Sequence, residues 1–317
     1  MGRYLLHRTM LLVPVLLGVS IVVFVALHLA PGDPAEVLLG ALATPTEVAS
    51  LRHQLGLDQP WPVQYLKWIS QVLQGNLGTS ITLHESVRSL VGARLLSTLI
   101  LTIPAFLLAT VCGMAAGIAS ARWRGSPFAA IVNVGAFTLV SMPVYWLGLI
   151  LVIVFSLRLG ILPSGGMYPA GGEESLGSLL PHLIMPCLAL AAAPAAIIAQ
   201  VTRSAVIDEL GQEYVRTARA KGVGLWRSLL AHATRNALVP IVTTLGLEIN
   251  YIIGGDVLVE TIFSWPGIGQ MLVQAVFSRD YPIVLGSTLA LAIIFVLVNL
   301  VIDGLYGYLD PRITVRS

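Results

Sequence analysis

The stretch Tyr281-Pro-Ile-Val-Leu-Gly-Ser-Thr-Leu-Ala-Leu-Ala-Ile-Ile-Phe-Val-Leu-Val-Asn-Leu-Val-Ile302 runs from Asp280 to Asp303 without a charge of its own. A helix needs about 20 such residues to cross the ~30 Å hydrocarbon core of a bilayer. Working outward, residues 9–32, 95–121, 125–157 and 175–202 are uncharged in the same way, and 125–157 is longer than one span requires. Residues 236–259 are apolar except for Glu248, Asn250 and Asp256 and count as a span carrying polar groups. The reading is an all-α polytopic membrane protein with six transmembrane helices. Residues 261–278 are also uncharged, but Trp265-Pro-Gly-Ile-Gly269 removes a backbone donor and loosens the chain, so a lipid-exposed helix is disfavoured there. That piece reads as re-entrant or interfacial.

Composition agrees. Of 317 residues, 56% are apolar and 11% charged, against roughly 25% charged in soluble domains. Such a chain lacks the charge to solvate a cytosolic enzyme's surface, and its net charge of +2 implies no nucleic-acid partner. Cys112 and Cys187 lie in apolar runs and read as packed small hydrophobes. The 9–32 stretch is longer than the apolar part of a signal peptide. With the N-terminus inside, the inner segments hold Arg3, Arg8, Arg122, Arg124, Arg203, Arg216, Arg219, Lys221, Arg227, Arg235, Arg312 and Arg316. The short outer loops hold only Arg158 and Arg279, the asymmetry the positive-inside rule demands.

Two loops exceed simple connectors. The outer segment 31–94 reads as a small folded element, with a turn at Leu55-Gly-Leu-Asp-Gln-Pro60 and a helix over 63–74 stopped by Gly75 and Gly78. That helix either lies on the bilayer, with Trp61 and Trp68 at headgroup depth, or forms a docking surface. The inner loop 203–235 carries a helix over 208–221, broken by Gly222-Val-Gly224. A second short helix follows, with Leu225/Leu229 and Trp226/Leu230 four residues apart on one apolar face. That face either lies on the membrane or fills a groove in a cytoplasmic partner.

Several chemistries are missing. A phosphate-binding loop needs Gly-Lys before Ser or Thr, yet the only lysines, Lys67 and Lys221, follow Leu66 and Ala220. No metal-protease histidine spacing or Gly-x-Ser-x-Gly elbow occurs. Inside the spans, Glu248 and Asn250 either line a polar path or pair within the bundle, while Asp256 reads better as an interfacial group. Asn133 and Asn299 read as interhelical glue or further path residues.

Several blocks in order resemble the permease subunits of bacterial binding-protein-dependent ABC importers, in the dipeptide, oligopeptide and nickel branch. They are His28-Leu-Ala-Pro-Gly-Asp-Pro-Ala35, Leu55-Gly-Leu-Asp-Gln-Pro60, Gly75-Asn-Leu-Gly78, Ser141-Met-Pro-Val-Tyr-Trp-Leu-Gly148 and Arg158-Leu-Gly-Ile-Leu-Pro163. Glu213-Tyr-Val-Arg-Thr-Ala-Arg-Ala-Lys-Gly222, His232-Ala-Thr-Arg-Asn-Ala237 and Glu260-Thr-Ile-Phe-Ser-Trp-Pro-Gly-Ile-Gly269 complete the set. The resemblance implies a type I importer permease fold in the bacterial inner membrane, with both termini cytoplasmic. It implies a paralogous permease, two ATPase subunits that bind ATP and Mg, and an extracytoplasmic binding protein, with no cofactor or catalysis in this chain. The loop 203–235 is then the ATPase-coupling loop, involving Glu213, Arg216, Thr217, Ala218, Gly222, Leu225, Trp226, Leu229 and Leu230. The superfamily's Glu-Ala-Ala before the glycine is Arg216-Thr-Ala218 here, and its later proline is Arg235. An ion-coupled secondary transporter working without ATPases is the competing reading.

Overall fold

The computed structural model describes residues 2–29, 32, 34–40, 43–54 and 56–309. Of the expectations above, those on Pro31, Asp33, Leu55, Arg312 and Arg316 lie outside the described residues. Two compact units emerge, one built on Leu99–Trp265 with the chain from Val298 onward, the other on Leu5–Thr98 and Pro266–Leu297.

The elements in chain order are helices α1 (Gly2–Leu29), α2 (Pro34–Leu39), α3 (Pro45–Gln54), α4 (Trp61–Leu73), α5 (Val87–Arg122), α6 (Pro127–Ser141) and α7 (Val144–Leu151). Then come α8 (Leu176–Leu210), α9 (Glu213–Ala220), α10 (Leu225–Arg227), α11 (Thr234–Asn236), α12 (Leu238–Ile262), α13 (Ile268–Phe277) and α14 (Tyr281–Leu309). Short π-helical turns follow α7 (Val152–Arg158) and α10 (Ser228–Ala233). Among the described residues the extended pairing is one bridge, Thr79 to Ser86.

Helices α5, α8, α12 and α14 are each long and apolar enough to cross a membrane. The expected span over 125–157 is not straight: α6 and the helix that begins at Val144 meet at 105°. Pro143 causes the break, because a residue before proline is pushed out of the helical region, and Met142 is extended (φ −81°, ψ 125°). Taken as one span, the pair is the fifth; among the described residues α1, where the first span was expected, is apolar over the shorter stretch Val13–Leu29. Helix α13 has 10 residues, about 15 Å, too short to cross.

In the first unit α6, α7 and α12 pack on α8. Glycines permit the closest approaches. A Cβ on Gly113 or Gly117 of α5 would stand 2.6 Å from the carbonyl oxygens of Ala195 or Ala199 on α8, and one on Gly246 of α12 would stand 2.7 Å from Ile302 of α14. Small residues let membrane helices meet at backbone distance in this way. Trp265 and Phe263 are fully buried in this core beside Leu190 and Ile198.

In the second unit Phe24, Leu27, Val87, Val91, Ile268 and Ile283 form the core. Helix α4 matches the expected outer helix and stops at Gly75, whose φ of +79° suits only glycine well. Trp68 packs on this core beside Tyr65. Asp280 is fully buried and ties residues 80–82 to the start of α14: its carboxylate accepts from Ser80 Oγ (2.6 Å), Thr82 Oγ1 (2.8 Å), and the backbone N–H of Thr82 (3.0 Å) and Ile283 (3.3 Å).

Candidate functional site

The loop over 203–235 departs from its expected shape at the start. Helix α8 is 35 residues long, about 52 Å, and runs through Arg203 to Leu210 before Gly211 ends it. The helix expected over 208–221 is therefore two pieces, with α9 restarting at Glu213. Good helix formers flank the break, but the Gly211 N–H already closes the last turn on Ile207 and Asp208, and Gln212 is extended. The glycine break at 222 is present, with φ +89° and open space around the position.

Past it, α10, the π-helical turn and α11 form one helical stretch. Its apolar face divides in two. Leu229 is fully buried with Val206, Ala233, Ala237 and Ile241, whereas Trp226 and Leu230 are about half exposed. The sequence reading put all of these on one apolar face; in the structure the pair Leu225/Leu229 turns inward and the pair Trp226/Leu230, about 100° round the helix, stays outside. Val215 is the matching anchor on α9, fully buried. It is the lone aliphatic in Glu213-Tyr-Val-Arg-Thr-Ala-Arg-Ala220, a signal that was readable in the sequence. Leu229 thus works as an internal anchor, in contrast to its expected place on a docking face.

The outward surface of the loop holds Glu213, Arg216, Thr217, Gly222, Trp226 and Leu230, with Ala218 and Leu225 half-buried. Arg216 Nη1 donates to Glu213 Oε1 at 2.8 Å, so those two charges balance each other. Tyr214 ties the loop ends together. Its hydroxyl donates to Glu209 Oε2 (2.5 Å) and accepts from Asn236 Nδ2 (2.8 Å). Partial burial, and next the Glu209 bond, hold this phenol above its usual value. Trp226 also meets Trp123 edge-on (6.3 Å, 84°), with the Arg122 guanidinium carbon 5.7 Å from its ring centre. Sequence reasoning had no means of pairing residues a hundred positions apart.

The polar groups of α12 separate by role. Asn250 and Asn299 exchange amide hydrogen bonds (3.1 and 3.3 Å), which tie α12 to α14. Asp256, read from sequence as interfacial, is buried and accepts from Thr102 Oγ1. Glu260, one turn on, is fully buried as well. Glu248 is buried, and its Oε2 has no hydrogen-bond partner. Positions 248, 252, 256 and 260 repeat every four residues and are all buried, which marks one inward stripe. Among the described residues no group of three metal-ligating side chains occurs.

The family model for the binding-protein-dependent transport system inner membrane component matches residues 113–315, and the model for its N-terminal part matches residues 1–102. The chain belongs to this family. The permease is 42% identical over 316 residues to a glutathione transport system permease protein of Salmonella paratyphi A, covering all of both chains. It is 40% identical over 331 residues to a dipeptide transport system permease protein of Alkalihalophilus pseudofirmus, covering 99% of each. By fold it is similar to the MetNI methionine ABC transporter (TM-score 0.55, 18% identity, 70% of this chain and 96% of that one). A second likeness is to an amino acid ABC transporter (TM-score 0.52, 17% identity, 71% and 94%). The permease is therefore a transport subunit of an ABC importer in the inner membrane, and the ion-coupled alternative is set aside.

Proposed function

We propose that the chain forms, with a paralogous permease, the translocation path for a short peptide or similar solute delivered by an extracytoplasmic binding protein. Two ATPase subunits holding Mg-ATP supply the work. Both termini are cytoplasmic, 31–94 is the outer segment and 203–235 is the coupling loop. Relatives named for glutathione and for dipeptides support the solute class.

One observation carries the coupling role: the loop presents Trp226 and Leu230 outward from an element anchored by Val215 and Leu229. Exposed aromatic and aliphatic side chains on a rigid polar loop fit a partner's groove. ATP-driven closure of the ATPases then moves the loop as a body, and the anchors pass that movement to α8 and α12. Nucleotide shifts the inward–outward equilibrium only by its differential affinity for the two states. Glu248, with one carboxylate oxygen unpartnered, is the polar group we place on the path.

The test is a pair of variants in the assembled transporter. Trp226→Ala with Leu230→Asp should leave the subunit in the membrane at normal level and abolish uptake and solute-stimulated ATP hydrolysis. Normal uptake by that variant would remove this face from the mechanism.

A further inference from the structure

The second unit holds an open cleft of about 470 Å³ that the transport reading leaves without a role. It lies between the end of α1, the α3–α4 turn, α4 and the start of α14, wholly inside that unit. The volume is within the range of small-molecule sites. It corresponds to on the order of fifteen waters at liquid volume, and a peptide of two or three residues has about that many non-hydrogen atoms.

The walls are preorganised. The Gln64 amide donates to Leu57 O (3.3 Å) and Gln59 O (2.8 Å), which fixes its orientation and turns Oε1 towards His28 Nε2 (3.2 Å). His28 Nδ1 meets Phe24 O at 2.8 Å. Both ring nitrogens therefore have an oxygen within hydrogen-bond distance. The rings of Phe24 (4.2 Å), Trp61 (5.2 Å) and Tyr281 (5.7 Å) surround it and hold it in place.

The chemistry on offer is that of a peptide's polar ends. Lys67 Nζ spends one hydrogen on Gln59 Oε1 (2.8 Å) and keeps two. The side-chain amides of Gln54 and Gln71 make no hydrogen bond among the described residues, and each brings a donor and an acceptor. No carboxylate lines the cavity; the nearby Asp58 is taken by His53 Nδ1 at 2.7 Å. Trp68 and Tyr281 add an apolar wall.

We propose that this cavity binds a short peptide through its free C-terminal carboxylate and backbone amides, giving the permease a solute site separate from the binding protein's. The proposal rests on the solute class and outward orientation proposed above. Its test uses right-side-out membrane vesicles carrying the complete transporter without binding protein, in a Cys112→Ala, Cys187→Ala background with Gln71→Cys. A membrane-impermeant maleimide should label position 71 from outside. Trialanine should slow that labelling saturably, and C-terminally amidated trialanine should not. Lys67→Met should weaken the protection by about threefold, the size of one solvent-facing charge interaction. Undiminished labelling at saturating trialanine, or equal protection by the amide or by inorganic phosphate, would overturn the site while leaving the transport reading intact. Protection by unliganded binding protein but not by trialanine would reassign the cavity to protein docking. Labelling only in inverted vesicles would overturn the orientation and the site with it.

Discussion

Glu248 keeps one carboxylate oxygen without a partner on a helix that crosses the membrane. A group of that kind costs roughly 2.5–3.5 kcal/mol even on insertion scales, so it persists for a reason other than stability. On the path reading, Glu248→Gln should change the uptake rate or the range of solutes carried. Unaltered kinetics and selectivity in competition assays would assign it to packing. Tyr214 makes a different kind of prediction. Tyr214→Phe removes both hydroxyl bonds and should loosen the loop by about 1 kcal/mol in total, since the ring is partly exposed. Limited proteolysis across 211–224 reads that change. The sign with pH follows from the raised phenol. The folded loop holds the proton more tightly than the unfolded chain, so this contribution is complete below the ordinary tyrosine value near 10. It fades as pH climbs through the higher folded value. The phenylalanine variant should lose that alkaline sensitivity.

Helices α5 and α8 meet where a Cβ on Gly117 would stand 2.6 Å from both Ala199 O and the Thr202 Cβ. Backbone cannot yield as a flexible side chain does. Gly117→Val should force the helices apart at a cost of about 2 kcal/mol, seen as lower membrane abundance and a lower melting temperature of the solubilised transporter. Gly135, whose added Cβ would meet nothing within 4 Å, should accept alanine without change. The loop over 203–235 separates buried from exposed side chains in the same spirit. Leu229→Asp puts a charge into a fully buried apolar cluster and should deplete the folded subunit, unlike changes at Trp226 or Leu230. Successive helix positions point about 100° apart, so the pair Leu225 and Leu229 turns inward while the pair Trp226 and Leu230 stays outside.

At the scale of the whole molecule, the chain should carry no solute without its partners. Reconstituted alone into vesicles under an ion gradient, it should show no uptake, and adding the ATPases, the second permease and the binding protein should restore it. Much of this architecture is legible in one dimension. Uncharged runs such as 281–302 declare spans because the bilayer rejects charge over a fixed thickness. Gly222 announces the break in the loop. What the sequence could not decide is which apolar residues face lipid and which face protein, because both surroundings are equally free of water. Val111 is exposed and Ala109 buried on one helix, and no hydropathy pattern separates them. Nor could it pair Asn250 with Asn299, Asp280 with Ser80 and Thr82, or Trp226 with Trp123. Those partners lie between 49 and 200 positions apart for the hydrogen-bonded pairs Asn250–Asn299 and Ser80–Asp280. Polar groups buried in an apolar medium must find partners, but only the three-dimensional packing of helices determines which partner is within reach.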